Sequence, residues 1–96
     1  MDDVVIAAMR VRMLVRESYS LKDKRQILNS IKEKIRNKYN VSIAEVDEQE
    51  NRQIIVLGLA TVGNEVKFVL SVMETIAQAL RVHPIAEFID HQIEIV

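Results

Sequence analysis

Lysine and arginine carry the strongest chemical signal in this 96-residue sequence. Arg16, Lys22, Lys24 and Arg25 crowd one short stretch, and Lys32 and Arg36 follow it. Placed on a helix at 100° per residue, Lys22, Arg25, Lys32 and Arg36 fall within about 80° of one another, with Asn29 among them. A stripe of that kind can track phosphates along a nucleic-acid strand. It also sits where it costs something. The positive end of a helix dipole disfavours nearby cations by ~0.3–1 kcal/mol each when exposed, so a site that tolerates them is suited to an anion. Lys24 differs from the rest: it lies inside the apolar sector of the same helix, where a lysine snorkels past the core. The expected anion- or RNA-binding set is Arg16, Lys22, Lys24, Arg25, Lys32 and Arg36. A solvated helix face is the competing account.

Other constellations are weaker. His91-Gln92-Ile93-Glu94 spells H-x-x-E, but on a strand its two ends point to opposite faces. His91 is therefore expected to be a structural, partly buried histidine, and His83, just before Pro84, to serve a helix end. Glu45 and Asp47 are expected on one face of an edge strand, where charge deters strand pairing between molecules. Ser18, Ser20, Ser30, Ser42 and Ser71 have no evident base. Gly58 and Gly63, the two glycines, make no phosphate loop, and with no Cys there is no thiol nucleophile or thiolate zinc site. No catalytic residue, metal site or cofactor is expected.

The elements that position these groups follow from periodicity. Met9, Val11, Met13 and Val15 alternate with Arg10, Arg12, Leu14 and Arg16, the period of a strand, over about Val4–Arg16. Ser20 with Asp23 three residues later reads as a helix N-cap. The helix over Leu21 to about Tyr39 places Leu21, Ile27, Leu28, Ile31, Ile35 and Tyr39 on one side, and Asn40 stops it. Val41–Asp47 and Gln53–Val62 are strands joined by a polar turn at Glu48–Asn51. A second helix over about Glu65–Val82, capped by Asn64, carries Val66, Val69, Leu70, Met73, Ile76, Ala77 and Leu80 inward. Phe68, Val72 and Ala79 form a smaller row off that face, expected to meet the first helix or, alternatively, to form a partner groove. Ile85–Val96 is the last strand, with Ile89, Ile93 and Ile95 on one face.

This order is βαββαβ, so the expected fold class is α+β: a single ferredoxin-like domain over residues 1–96, a four-stranded antiparallel sheet with both helices on one face. The other face is then open. Arg10, Arg12 and Leu14 must lie on it, and one of the two apolar rows of the third strand, expected to be Ile55, Leu57 and Leu59. An apolar row ringed by arginine marks a partner surface, and a two-fold homodimer through the open sheet is the simplest occupant. Base stacking on the sheet needs aromatics on the central strands, and Tyr19, Tyr39, Phe68 and Phe88 all lie elsewhere.

Composition sets the bounds. Residues 1–40 hold ten Lys/Arg against five Asp/Glu (net +5), and residues 41–96 hold three against nine (net −6). That split can suit the first half to an anionic partner. The acidic start and the six-residue apolar run Val4–Met9 match neither a secretory signal nor a membrane span, so a cytoplasmic protein is expected.

Two segments go further. Ser20-Leu21-Lys22-Asp23-Lys24-Arg25 at the start of the first helix and Asn40-Val41-Ser42-Ile43-Ala44-Glu45-Val46 in the second strand resemble the YlxP-like family of bacterial proteins, a domain of unknown function. Leu57-Gly58-Leu59-Ala60 and Asn64 match as well. The resemblance implies a ferredoxin-like fold and a gene often found beside translation-initiation and ribosome-maturation factors. It implies no activity and no catalytic residues. Where that family often has Pro and Gly before the first helix, this chain has Glu17-Ser18-Tyr19. The function expected is that of a non-enzymatic accessory factor that binds RNA or the ribosome through the first helix. The alternative is a dimeric regulatory or small-ligand-binding module using the open sheet.

Overall fold

The computed structural model describes residues 2–96. Its elements run β1 (Val5–Leu14), α1 (Leu21–Lys38), β2 (Ser42–Asp47), β3 (Ile54–Gly63), α2 (Val66–Arg81) and β4 (Glu87–Ile95). The strands form one antiparallel sheet in the order β2-β3-β1-β4. The ferredoxin-like α+β arrangement expected from periodicity is therefore the fold. Both helices pack on one face, so β2 and β4 are edges and β1 and β3 are central.

The start of α1 is fixed locally. The Ser20 side chain accepts from the Asp23 amide at 3.1 Å, and Asp23 Oδ2 accepts from the Tyr19 amide at 3.1 Å, so two otherwise unpaired donors are satisfied. Tyr19 rather than Ser20 donates the return bond. At its other end α1 closes on an extended Tyr39. The N-cap of α2 is Glu65, not Asn64, and its side chain makes no capping bond.

The core lies between sheet and helices: Ala7, Met9, Val11, Met13 and Val15 from β1 and its extension, Leu28, Ile31 and Ile35 from α1, and Val69, Met73, Ile76, Ala77 and Leu80 from α2. Residues directly opposite in an antiparallel ladder share a face. Met9 stands opposite Leu59, Val11 opposite Leu57 and Met13 opposite Ile55. This register corrects the open-face assignment: Ile55, Leu57 and Leu59 are buried under the helices. The row of β3 on the open face is Ile54, Val56, Gly58, Ala60 and Val62, of which Val62 is exposed and Val56 buried. Both rows are apolar, so alternation within β3 could not distinguish them; pairing with β1 decides.

Two bulges shift side chains further. One lies between Glu45 and Asp47 in the β2–β3 ladder, and it sends the two acids to opposite faces rather than one. The other lies opposite the Arg12/Met13 step of β1, and it takes Ile89 out of the row of His91 and Ile93. No helix is long and apolar enough to cross a membrane among the described residues.

Candidate functional site

The cations of the first forty residues separate into those with a carboxylate of their own and those without. Arg10 Nη2 meets Asp47 Oδ2 at 3.2 Å, and Arg12 grips Asp90 with Nε and Nη2 at 3.0 and 2.6 Å. Arg16 Nε meets Glu87 Oε2 at 2.9 Å. These arginines come from β1 and its extension, and the acids from β2 and β4. Arg10 must reach across β3 to touch Asp47, because β3 lies between β1 and β2. Its stem, together with Arg12 opposite, explains why Val56 is 0% exposed although it faces the open side. Hydrogen bonding to Arg12 holds the Asp90 carboxyl below its ordinary range, and the same bond raises the guanidinium. Arg10, Arg12 and Leu14 do line the open face, but the two arginines form an internally neutral ladder. Arg16 belongs to this ladder and not to an unpaired stripe.

Lys24 is withdrawn altogether. Its side chain is 1% exposed. Its ammonium donates to the carbonyls of Glu48 at 2.8 Å, Ile54 at 3.2 Å and Gln49 at 3.4 Å. Those bonds use its three hydrogens. Glu45 Oε2 also stands 2.9 Å away, yet makes no hydrogen bond of acceptable angle. It is held by charge alone. The apolar sector that Lys24 occupies thus signals an interior structural cation, not an anion ligand. The turn it grips contains Glu48, which has a left-handed backbone (φ 57°).

Lys22, Arg25, Lys32, Lys34 and Lys38 have no ion-pair or hydrogen-bond partner among the described residues and all lie on α1; the first three share one side, whereas Lys34 and Lys38, the latter over the Tyr39 ring at 5.6 Å, lie away from it. Arg36 belongs to the same side and donates to the Ile43 carbonyl of edge strand β2 at 3.1 Å. The stripe therefore flanks the β2 margin of the domain. Lys22 to Arg36 covers about 21 Å at 1.5 Å per residue.

A second feature lies on the open face. Ala8, Ala44, Gly58 and Ala60 floor a depression of about 350 Å³, bordered by Arg10, Ser42, Gln92 and Glu94. Small side chains from adjacent strands create it. Ser42 and Ala60 also line its continuation toward exposed Ile6 and Val62. Gly58 is needed there: a Cβ would stand 2.6 Å from Val46 Cγ1.

The histidines are structural. His83 Nδ1 accepts from the amides of Ile85 (3.2 Å) and Ala86 (3.0 Å), fixing the turn after α2. Burial lowers its pKa, and the charge of Lys34 adds to the effect. His91 packs edge-on against Phe88, over which Arg81 lies at 4.4 Å. No group of three or more potential metal-ligating side chains exists among the described residues. Sequence reasoning missed the ladder, since its partners are 37 to 78 residues apart, and it missed the depression, whose small residues carry no signal until the strands are in register.

The chain is 37% identical over 51 residues to the uncharacterized protein YlxP of Bacillus subtilis (strain 168). That match takes in 53% of this chain, and the chain spans about half the length of that relative, 55%. The model of a family described as a protein of unknown function (DUF503) matches residues 6–93, from within β1 to within β4. The domain, with its paired strands, buried lysine and cation-rich first helix, belongs to the DUF503 family.

Proposed function

We propose that this protein is a non-enzymatic accessory factor that binds RNA, with ribosomal RNA as the target class, through the outer side of α1. One observation carries the reading. Arg10, Arg12, Arg16 and Lys24 are each matched to an internal carboxylate, whereas Lys22, Arg25 and Lys32 are not and fall along one side of one helix; Lys34 and Lys38, also without a carboxylate, lie elsewhere on it. Three unpaired charges in a line suit a polyanion whose own charges are in a line. With Arg36 they supply three or four phosphate contacts. The test is binding of labelled ribosomal RNA fragments over a range of salt. Three or four contacts give a slope of log K against log salt of about −2 to −3 for a single strand. Reversing Arg25 and Lys32 to Glu should abolish binding at physiological salt. Unchanged affinity in that variant would discard the stripe.

A second reading, a homodimeric or small-ligand-binding module, is favoured by the open-face depression and the exposed Ile6 and Val62 beside it. A two-fold sheet-to-sheet contact would bury this apolar half and leave the arginine ladder at its rim. Sedimentation equilibrium checks it: Ala60→Glu should convert a dimer to a monomer, and a wild-type monomer at high concentration rules the contact out.

A further inference from the structure

We infer that the RNA taken by α1 is single-stranded at the N-terminal end of the stripe, where Tyr19 offers its ring as a stacking platform for one unpaired base. This rests on the RNA-binding reading above and adds to it the form of the nucleic acid. Tyr19 is 74% exposed, the most exposed aromatic side chain in the described domain. It stands three residues before Lys22, so the ring and the first unpaired cation are neighbours in the chain. Its backbone is not loose. The Tyr19 amide is held by Asp23 Oδ2 at 3.1 Å, and the preceding Ser18 is buried with its hydroxyl on the Ser20 carbonyl at 3.2 Å. Across from it the start of β3 is tied to the same loop: the Val15 amide donates to the Gln53 carbonyl at 2.8 Å, and Gln53 Nε2 donates to the Arg16 carbonyl at 2.9 Å.

These bonds shape an open cleft of about 450 Å³ lined by Ser18, Tyr19, Asn51, Arg52 and Gln53. Arg52 is exposed and has no ion-pair partner among the described residues. A large aromatic left in water on a braced loop, with an unpaired guanidinium in the same cleft and an unpaired ammonium in the next helix turn, is the combination that single-strand binders use. The base stacks on the π-face and cations hold the flanking phosphates. A duplex keeps its bases stacked on one another and has none to give, so the ring adds nothing to duplex binding. Carboxylates also border this cleft: Asp23, engaged by the Tyr19 amide, Glu17, exposed on the same loop, and Glu48, which accepts from Asn51 Nδ2 at 2.9 Å; Lys22 and Arg52 are the cations a phosphate meets there.

The test measures anisotropy of a labelled twelve-nucleotide single strand and of a twelve-base-pair RNA duplex at low salt. Tyr19→Ala should weaken single-strand binding about 5- to 150-fold. It should leave duplex binding within two-fold, and Tyr19→Phe should keep wild-type affinity for both. A second readout is spectroscopic. The chain has two tyrosines and no tryptophan. In a Tyr39→Phe background the emission of Tyr19 should therefore be quenched by the single strand and not by the duplex. Single-strand affinity unchanged by Tyr19→Ala, with Arg25→Glu/Lys32→Glu still abolishing binding, overturns the stacking and leaves the stripe standing. Failure of the wild-type protein to bind either RNA overturns both.

Discussion

Replacing Lys24 with methionine removes a charge from the interior but very little volume. The variant keeps the packing of the stem and loses the three carbonyl contacts and the ion contact to Glu45. The Glu45 side chain is 16% exposed, so its carboxylate cannot simply face water. Breaking a buried pair from one side costs about 3–5 kcal/mol. The expected loss is therefore about 4 kcal/mol at pH 7. Urea unfolding is the assay. With a slope near 1.5 kcal/mol/M, the midpoint should fall by roughly 2.5 M at pH 7. Adding Glu45→Leu removes the orphan and should restore most of the loss, since a buried pair exchanged whole for apolar residues is often neutral. A deficit below about 1 kcal/mol, or no recovery in the double variant, would refute the account of this node.

Three further outcomes are expected. His83 must be neutral to accept from two amides, and its pKa is lowered. Its contribution to stability is thus full above pH 6.5 and is lost as pH falls through the depressed value, and His83→Ala should flatten the stability–pH curve in that window. Arg12→Ala should return the Asp90 carboxyl to its ordinary range in an NMR titration, because the bidentate contact is what lowers it. Stability from that pair is present above the ordinary carboxyl value and is lost as pH falls from there through the depressed folded value. Gly58→Ala places a methyl 2.6 Å from Val46 Cγ1 and should cost about 1–2 kcal/mol in thermal or urea unfolding, and Val46→Ala should relieve it.

Element order and type were legible because period two in β1 and period 3.6 in both helices are long and unbroken. The cap at Ser20 was legible from residue types alone. What was not legible depends on pairing. The two faces of β3 are equally apolar, so Ile55, Leu57 and Leu59 could be placed only once Met13, Val11 and Met9 were seen opposite them. The bulges at Glu45/Asp47 and beside Ile89 are one-residue shifts with no Gly or Pro to announce them. For the candidate site, Lys24 was half visible. Its place in the apolar sector marked it as different, but the three carbonyls that receive it come from a turn 24 to 30 residues away. Arg16 gave no such hint, since an exposed arginine reads the same whether or not a glutamate 71 residues on has claimed it.

The reach of Arg10 over β3 has a mechanical meaning. Outer strands ordinarily peel first, because only one neighbour holds them. Here a central strand sends one long arm to each margin, so lifting β2 or β4 away must also break a charged tether to the middle. Amide hydrogens in those outer strands should accordingly exchange about two- to five-fold faster in Arg10→Ala or Arg12→Ala than in the wild type, since exposed pairs contribute up to about 1 kcal/mol. A stray chain searching for a loose border to zip against would then find little opening.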